Sequence, residues 1–201
     1  MQEKMTPLQK RVWELAYKFK TPVGSSLAAV EIIDEIYSLK KPDEKFVLSA
    51  GHYGLALYVV IEKYLGIDAE KIWRHHGRHP DRCEECHLDC STGSLGMGLS
   101  VAVGMALANR MKDVWCLISD GEFLEGSTQE ALRTKLFENV SNLKVLMNFN
   151  GWGAYSRIVT DGEELPGVQV CQTNLDDFPF LRGLEGHYHI LTKEEYETGL
   201  C

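Results

Sequence analysis

The hydrophobic and polar positions follow two kinds of pattern along the chain. Segments whose apolar residues recur at helical spacing, or are long and apolar, are the predicted helices: 6–20, a segment ending at 39, 52–65, 68–75, 96–112 and 125–138. Short runs that are continuously apolar are the predicted strands: 45–49, 114–119 and 143–149. A serine N-cap is expected before the helix that ends at Leu39, and a last short helix and strand are expected within 177–191.

The central part of the chain has the order of a parallel sheet. The strands 114–119 and 143–149 flank one helix, and a strand–helix–strand unit places its two strands in parallel. Both strands are apolar throughout, as expected when both faces are covered. We therefore expect an α/β fold with a mostly parallel sheet in three layers, α/β/α, within one domain over residues 1–201.

Composition narrows the classes of partner. The chain has 201 residues, is 44% hydrophobic and carries a net charge of −8, without a long basic run. Nucleic acid and anionic membranes are therefore poor partners. The first residues lack an apolar signal-peptide core, and no apolar stretch reaches the roughly 18 residues of a membrane span. A cytoplasmic protein is the expectation.

The end of the strand 114–119 carries the first candidate chemistry, in the stretch LISDGEFLEG. Asp120 ends this strand and Asn150 ends the next one, 150 − 120 = 30 residues later. Ligands bind outside the carboxyl ends of parallel strands, and Asp and Asn oxygens suit Mg²⁺ or Ca²⁺. Gly121 would let the backbone approach a phosphate. From spacing alone, the alternative that Asp120 merely caps the helix 125–138 stays open.

Four stretches in the same order resemble the transketolase family. SDGEFLEG followed by NFNGW is similar to its thiamine diphosphate motif, GDG followed about 30 residues later by Asn. FVLSAGHYGLALYVVI, STGSLGMGLSVAVGMALA with the preceding His79-Pro80, and VGSSLAAVEIIDEIY resemble three further stretches of that family. Together they cover about residues 12–160. The resemblance implies a thiamine-diphosphate-binding fold in which this chain is the diphosphate-binding, N-terminal domain.

The resemblance also implies metal and diphosphate ligands. Asp120 and Asn150 would hold the divalent ion, with the backbone carbonyl of Trp152 as a third protein ligand. Gly121 would give its amide to the diphosphate. The ion would be Mg²⁺, or Ca²⁺ in its place.

The same resemblance implies residues for the reactive end of the cofactor. His52 would lie there as the candidate catalytic residue, although its position before an apolar helix also suits an ordinary capping role. Gly93, Ser94 and Leu95 would line the aminopyrimidine and thiazolium region.

Two acids match positions at a subunit interface of the resembled family. Glu125 and Glu130 would couple two active sites there. The alternative is that both simply lie in the solvated first turns of a helix, where its dipole favours acids.

The chain also departs from the resembled pattern. Ser119 stands in place of the first glycine of GDG, and Pro22 in place of a histidine that helps to bind substrate. Only the first of the family's domains is resembled, and it is shortened at its C-terminus.

We therefore expect a separate pyrimidine-domain subunit to complete an α₂β₂ transketolase-like enzyme that transfers a two-carbon ketol unit between sugar phosphates. Deoxyxylulose-phosphate-type or acyloin synthesis, and a non-catalytic paralogue, remain as alternatives.

A cysteine-rich loop lies outside these motifs. Cys83, Cys86 and Cys90, with His87 between them, have the spacing of zinc ligands, while reduced thiols without a metal are the alternative. The sequence CxxCH is also that of haem attachment, which requires export. His75 and His76 fall on no motif and are expected at the surface.

Overall fold

The computed structural model describes residues 5–153, 155–158 and 166–200. Its sheet has four parallel strands in the order β1-β2-β3-β4. Their bounds are β1 Lys45–Leu48, β2 Val114–Ser119, β3 Leu143–Phe149 and β4 Val168–Gln172. All three strand pairs are parallel, so the predicted mostly parallel sheet is confirmed.

Eight helices surround this sheet in the part of the chain that is described. They are α1 Pro7–Phe19, α2 Gly24–Leu39, α3 Gly54–Leu65, α4 Ala69–His76, α5 Met97–Ala108, α6 Asp120–Phe123, α7 Gly126–Phe137 and α8 Lys193–Gly199. Short 3-10 turns cover Gly51–Tyr53, Pro179–Leu181 and Leu184–His187. Helix α1 begins with a capping box formed by Thr6 and Gln9.

Two apolar cores on opposite faces of the sheet make the three layers. Side chains along β2 alternate, since Leu117 belongs to one core while Cys116 and Ile118 belong to the other. Helices α1 to α4 supply the first core, and α5 and α7 supply the second. The predicted α/β/α arrangement is therefore confirmed.

The structure differs from several of the predicted elements. The stretch His187–Leu191 was expected to form the last strand; instead, β4 at Val168–Gln172 is the fourth strand. Helix α2 begins without a serine cap, because Val23 holds the N-cap position and makes no side-chain hydrogen bond there. The helix expected over 96–112 ends earlier, at Ala108.

Across the described ranges, every helix is too short or too polar to cross a lipid bilayer.

Candidate functional site

The carboxyl ends of three neighbouring strands meet at one edge of the sheet. The chain leaves β1 into the turn Gly51–Tyr53, which carries His52. It leaves β2 at Ser119 directly into α6, whose first residue is Asp120. It leaves β3 at Phe149 and turns through Asn150 to Trp152. The topology therefore brings together residues that are up to a hundred positions apart in sequence.

Asp120 is buried and holds the turn after β3. Its Oδ2 accepts hydrogen bonds from the amides of Asn150 and Gly151 at 3.0 and 2.8 Å. Its Oδ1 accepts one from the amide of Gly121 at 2.9 Å. Burial raises the pKa of Asp120, and the three amides oppose that effect. The carboxylate thus lies between β2 and β3, and Oδ1 retains a lone pair.

The backbone carbonyl of Trp152 is reached by a histidine from the end of the chain. His187 Nε2 lies 3.1 Å from this carbonyl, and His187 Nδ1 lies 3.2 Å from Ser25 Oγ. Because a carbonyl only accepts, Nε2 carries the hydrogen, and in a neutral ring Nδ1 then accepts from the serine hydroxyl. His187 was absent from the residues expected in the site. It has no sequence motif to mark it, and only the fold brings it there.

Ser119 and Glu122 form a buried capping box at the start of α6. Ser119 Oγ accepts from the Glu122 amide, while Glu122 Oε2 accepts from the Ser119 amide, both at 3.2 Å. Glu122 Oε1 also accepts from Ser49 Oγ at 2.8 Å and from the Gly96 amide at 2.9 Å. Burial raises the pKa of Glu122, and these hydrogen bonds oppose that effect. One fully buried carboxylate therefore joins the ends of β1 and β2 to the start of α5.

A cleft of about 190 Å³ opens at this edge of the sheet. A neighbouring cleft of about 300 Å³ shares Ser25, Trp152 and His187 with it. The expected site residues that line the smaller cleft are His52, Gly93, Leu95, Asp120, Gly121 and Trp152. Asn150 lines the larger one, whereas Ser94 lines neither. Most of the predicted site residues are thus together, at two adjoining clefts.

The smaller cleft has a basic wall. Arg78 and His79 line it beside His52. Burial, followed by the charges of His187, Arg78 and His79, lowers the pKa of His52 to about 3, so this imidazole is neutral. Arg78 keeps a full positive charge, since guanidinium groups do not deprotonate in proteins. The cleft therefore suits an anion. The sequence patterns assigned no such role to Arg78.

The predicted interface acids lie outside both clefts. Glu125 is the exposed residue at the N-cap of α7, and Glu130 is exposed on that helix. Their predicted interface role stays a prediction.

The oxygen donors at the cleft edge fit a hard divalent cation. Asp120 Oδ1, Asn150 Oδ1 and the Trp152 carbonyl each accept one hydrogen bond. An sp² oxygen has two lone pairs, so each retains one for a metal ion. The space beside Gly121 is open enough for a phosphate. A Cβ placed on this glycine would meet only Gly153 Cα at 3.5 Å and Ser119 Oγ at 3.8 Å.

The structure does not group the expected zinc ligands together. Cys83 and Cys86 pack against the first core, whereas Cys90 packs against the second, on the other face of the sheet. Within the described ranges, the group of close ligand atoms is formed by Cys83, Cys86 and His76, without Cys90 or His87. His76, expected at the surface, is half-buried, while His75 is exposed as expected.

Comparison with known proteins gives the family. Residues 40–163 match the family model described as transketolase, thiamine diphosphate binding domain. The 6-deoxy-6-sulfo-D-fructose transketolase subunit SqwG of Clostridium sp. is 34% identical over 82% of this chain and 66% of its own length. An apulose-4-phosphate transketolase subunit from Phocaeicola vulgatus is 32% identical over 71% of this chain and 58% of its own length.

Longer relatives and solved structures agree with this. Human transketolase is 36% identical over 55% of this chain, which spans only 19% of that protein's length. The transketolase structure from Campylobacter jejuni has a TM-score of 0.63 at 22% identity, covering 81% of this chain and 30% of its own. That likeness shows the shared fold. Since the family model covers more than half of the chain, including both strand ends that carry Asp120 and Asn150, the chain belongs to the transketolase family through its thiamine diphosphate binding domain.

Proposed function

We propose that this chain is the N-terminal, diphosphate-binding subunit of a split transketolase-like enzyme. It holds the magnesium-bound diphosphate of thiamine diphosphate and works with a separate pyrimidine-domain subunit, in an α₂β₂ assembly in the cytoplasm. Together they transfer a two-carbon ketol unit from a ketose phosphate to an aldose phosphate. The domain over residues 1–201 is the diphosphate-binding domain of that enzyme.

The observation that carries the proposal is the set of oxygen donors between β2 and β3. Asp120, Asn150 and the Trp152 carbonyl come from two adjacent strand ends and remain able to accept a metal ion. These residues lie inside the segment that matches the thiamine diphosphate binding domain. Mg²⁺, or Ca²⁺ in its place, is the type of ion that such oxygens bind.

The roles of this chain's own residues follow from the geometry. Asp120, Asn150 and the Trp152 carbonyl would hold the metal ion, and the Gly121 amide would turn from Asp120 Oδ1 to a phosphate oxygen. When bound, the cofactor would supply the nucleophilic chemistry of ketol transfer, which protein side chains lack.

The residues of the cleft wall have separate roles. His52, which is neutral, would donate or accept a proton at its ring nitrogen near the reacting carbonyl. Gly93, Ser94 and Leu95 would lie against the cofactor rings, and Arg78 would bind an anionic group of cofactor or substrate.

Two relatives whose names call them subunits support a separate partner. The chain spans 58% to 66% of these relatives and about a fifth of human transketolase. This chain contributes the metal-binding side of the proposed cofactor site. A second subunit would cover the cleft and supply the remaining cofactor contacts.

The experiment is a calorimetric titration of thiamine diphosphate with Mg²⁺, carried out with and without the partner subunit. Asp120→Asn removes the charge while keeping the shape, so we expect it to abolish binding. Asp113→Asn, at the opposite end of β2, is the matched control and should bind like the wild type. An absence of binding to the wild-type pair would refute the proposal.

Pro22 favours one alternative chemistry. It stands where the resembled family has a substrate-binding histidine, and proline offers no imidazole. Deoxyxylulose-phosphate-type or acyloin synthesis would therefore use the same cofactor with another donor. Turnover of pyruvate but not of ketose phosphates by the assembled pair would establish this alternative.

A non-catalytic paralogue is less well supported. Ser119 is one of the departures that favour it, together with Pro22 and the short C-terminus. Ser119 has a structural role as the cap of α6 and leaves Asp120 at the cleft.

A further inference from the structure

A second cluster of ligand-type atoms lies apart from the cofactor cleft. One ligand atom each from His76, Cys83 and Cys86 lie within 4.8 Å of one another. Zn–S bonds are about 2.3 Å long, so two sulfurs on a tetrahedral zinc ion lie roughly 3.8 Å apart. The three side chains are therefore close enough together for one zinc ion to reach all of them with small movements.

The backbone around the two cysteines forms a closed knuckle. Cys83 and Leu88 exchange two backbone hydrogen bonds, of 2.9 and 2.8 Å, which close the ends of the segment. Inside it, the Cys86 amide donates to Cys83 Sγ at 3.4 Å. His87 takes a φ of 54°, which lets the chain turn back directly after Cys86. This conformation directs both sulfurs to one side and places an amide donor on the first, as suits a metal-bound thiolate.

His76 supplies an independent observation. It is the last residue of α4, and its Nε2 is buried without a hydrogen-bond partner in the part of the chain that is described. A buried imidazole nitrogen without a partner is costly, because it has lost its bond to water. A metal ion bound at Nε2 would satisfy this atom.

We propose that His76, Cys83 and Cys86 bind one zinc ion. Two thiolates and one imidazole are ligands that tetrahedral zinc accepts, and solvent would complete the fourth position. The ligands combine the CxxC pair that the sequence indicated with a histidine from the preceding helix. Cys90 and His87 take no part.

The site would fix the segment that forms one wall of the cofactor cleft. Zinc would tie the end of α4 to the knuckle, and Arg78 and His79 lie on the chain between them. The same segment is held further along by the Thr92 amide, which donates to the Pro80 carbonyl at 3.0 Å. Loss of zinc should therefore loosen the basic wall without removing any cofactor ligand.

The first test is metal binding to the full-length chain without cofactor. Protein purified with zinc should hold about one zinc ion per chain by mass spectrometric metal analysis. After chelation, titration with Co²⁺ should produce visible bands of a tetrahedral ion and an ultraviolet thiolate-to-cobalt band. Zn²⁺ should then displace the cobalt. A chain without stoichiometric zinc and without the thiolate band would overturn the proposal.

The second test compares ligands with neighbours of the same residue type. His76→Ala and Cys86→Ser should weaken zinc affinity by more than the roughly 10- to 100-fold cost of losing an outer contact. His75→Ala and Cys90→Ser are the matched controls and should bind zinc like the wild type. Equal losses from Cys90→Ser and Cys86→Ser would contradict the assigned ligands, as would a Cys83–Cys86 disulfide in the purified protein.

The readout separates this site from the proposed function. Circular dichroism checks that each variant is folded. The cobalt spectrum of the wild-type protein tests the site even if a variant fails to fold. Zinc binding is measured in the absence of thiamine diphosphate, so failure of the cofactor to bind would leave the zinc result unaffected. Conversely, absence of zinc from the chain would refute the zinc site without deciding whether thiamine diphosphate binds.

Discussion

At the scale of single residues, Ser119 shows how a departure from a motif can be a structural substitution. The sequence placed it where the resembled pattern has glycine and thereby questioned the cofactor site. In the structure its hydroxyl accepts from the Glu122 amide, while Glu122 accepts from Ser119 in return. The cofactor motif assigns no role to Glu122, yet the spacing Ser119-x-x-Glu122 is that of a capping box, so this reciprocal bond was predictable from the sequence.

We expect Ser119→Ala to destabilise the fold by about 1 kcal/mol, since an N-cap hydroxyl is lost. Ser119→Gly should cost only a few tenths of that amount, because glycine is a tolerated N-cap residue. Urea unfolding of both variants measures the difference. Equal stability of the wild type and Ser119→Ala would show that the cap contributes nothing.

His52 provides a prediction about pH. Burial and the nearby His187, Arg78 and His79 lower its pKa to about 3, below the roughly 6.5 of an unfolded histidine. Between these values the unfolded chain binds a proton that the folded chain does not, so stability falls as the pH falls through this window. The imidazole signals of His52 should stay constant by NMR from about pH 8 to 5. Titration of these signals near the unfolded value would contradict the buried environment.

At the scale of elements, the apolar patterns located the interior of the sheet well. Strands β2 and β3 are buried on both faces, and their predicted bounds agree with the structure. Strand β4 was missed because Val168–Gln172 is a half-exposed edge strand with alternating polar residues, which resembles a polar loop in sequence. The HYHIL stretch, 187–191, has strand-like composition, but only its first residue lies in a regular element, the 3-10 turn Leu184–His187, which brings His187 to the cleft.

The glycines of α5 set how closely this helix approaches β1. A Cβ at Gly98 would lie 2.5 Å from the backbone Cα of Ser49, so the helix would have to move away. We expect Gly98→Ala to cost about 1 to 3 kcal/mol, the usual range for overpacking. It should also disturb Ser49, which donates to Glu122 beside the cleft.

Gly104 offers the matched control on the same helix. An added Cβ there meets nothing within 4 Å, so Gly104→Ala should stabilise the protein by about 0.5 to 1 kcal/mol through helix propensity. Thermal unfolding of the two variants gives opposite shifts if close packing decides the effect. Shifts of the same sign would mean that propensity alone governs this helix.

At the scale of the whole molecule, the sequence could predict half of a site but not its surroundings. Asp120, Gly121 and Asn150 follow from strand ends and a spacing of one crossover. Arg78, His187 and Ser25 come from distant segments, and only tertiary packing places them at the clefts. The proposed partner subunit would supply the rest of the site, and the surface of this chain provides a test of that proposal.

Helix α5 presents apolar side chains to solvent next to the cleft. Met97 and Val101 lie one turn apart and are 55% and 38% exposed, and Gly96 before them lies against Glu125, a predicted interface acid. If the pyrimidine-domain subunit covers this face, Met97→Glu combined with Val101→Glu should weaken association at least about tenfold, as loss of a central apolar contact does. Met111→Glu is the matched control, since Met111 is 92% exposed beyond the end of α5. Analytical ultracentrifugation of each variant with the partner measures the affinity, and circular dichroism checks the fold of the chain alone. Association as tight as that of the wild type would place the partner on another face and leave these side chains without a role in assembly.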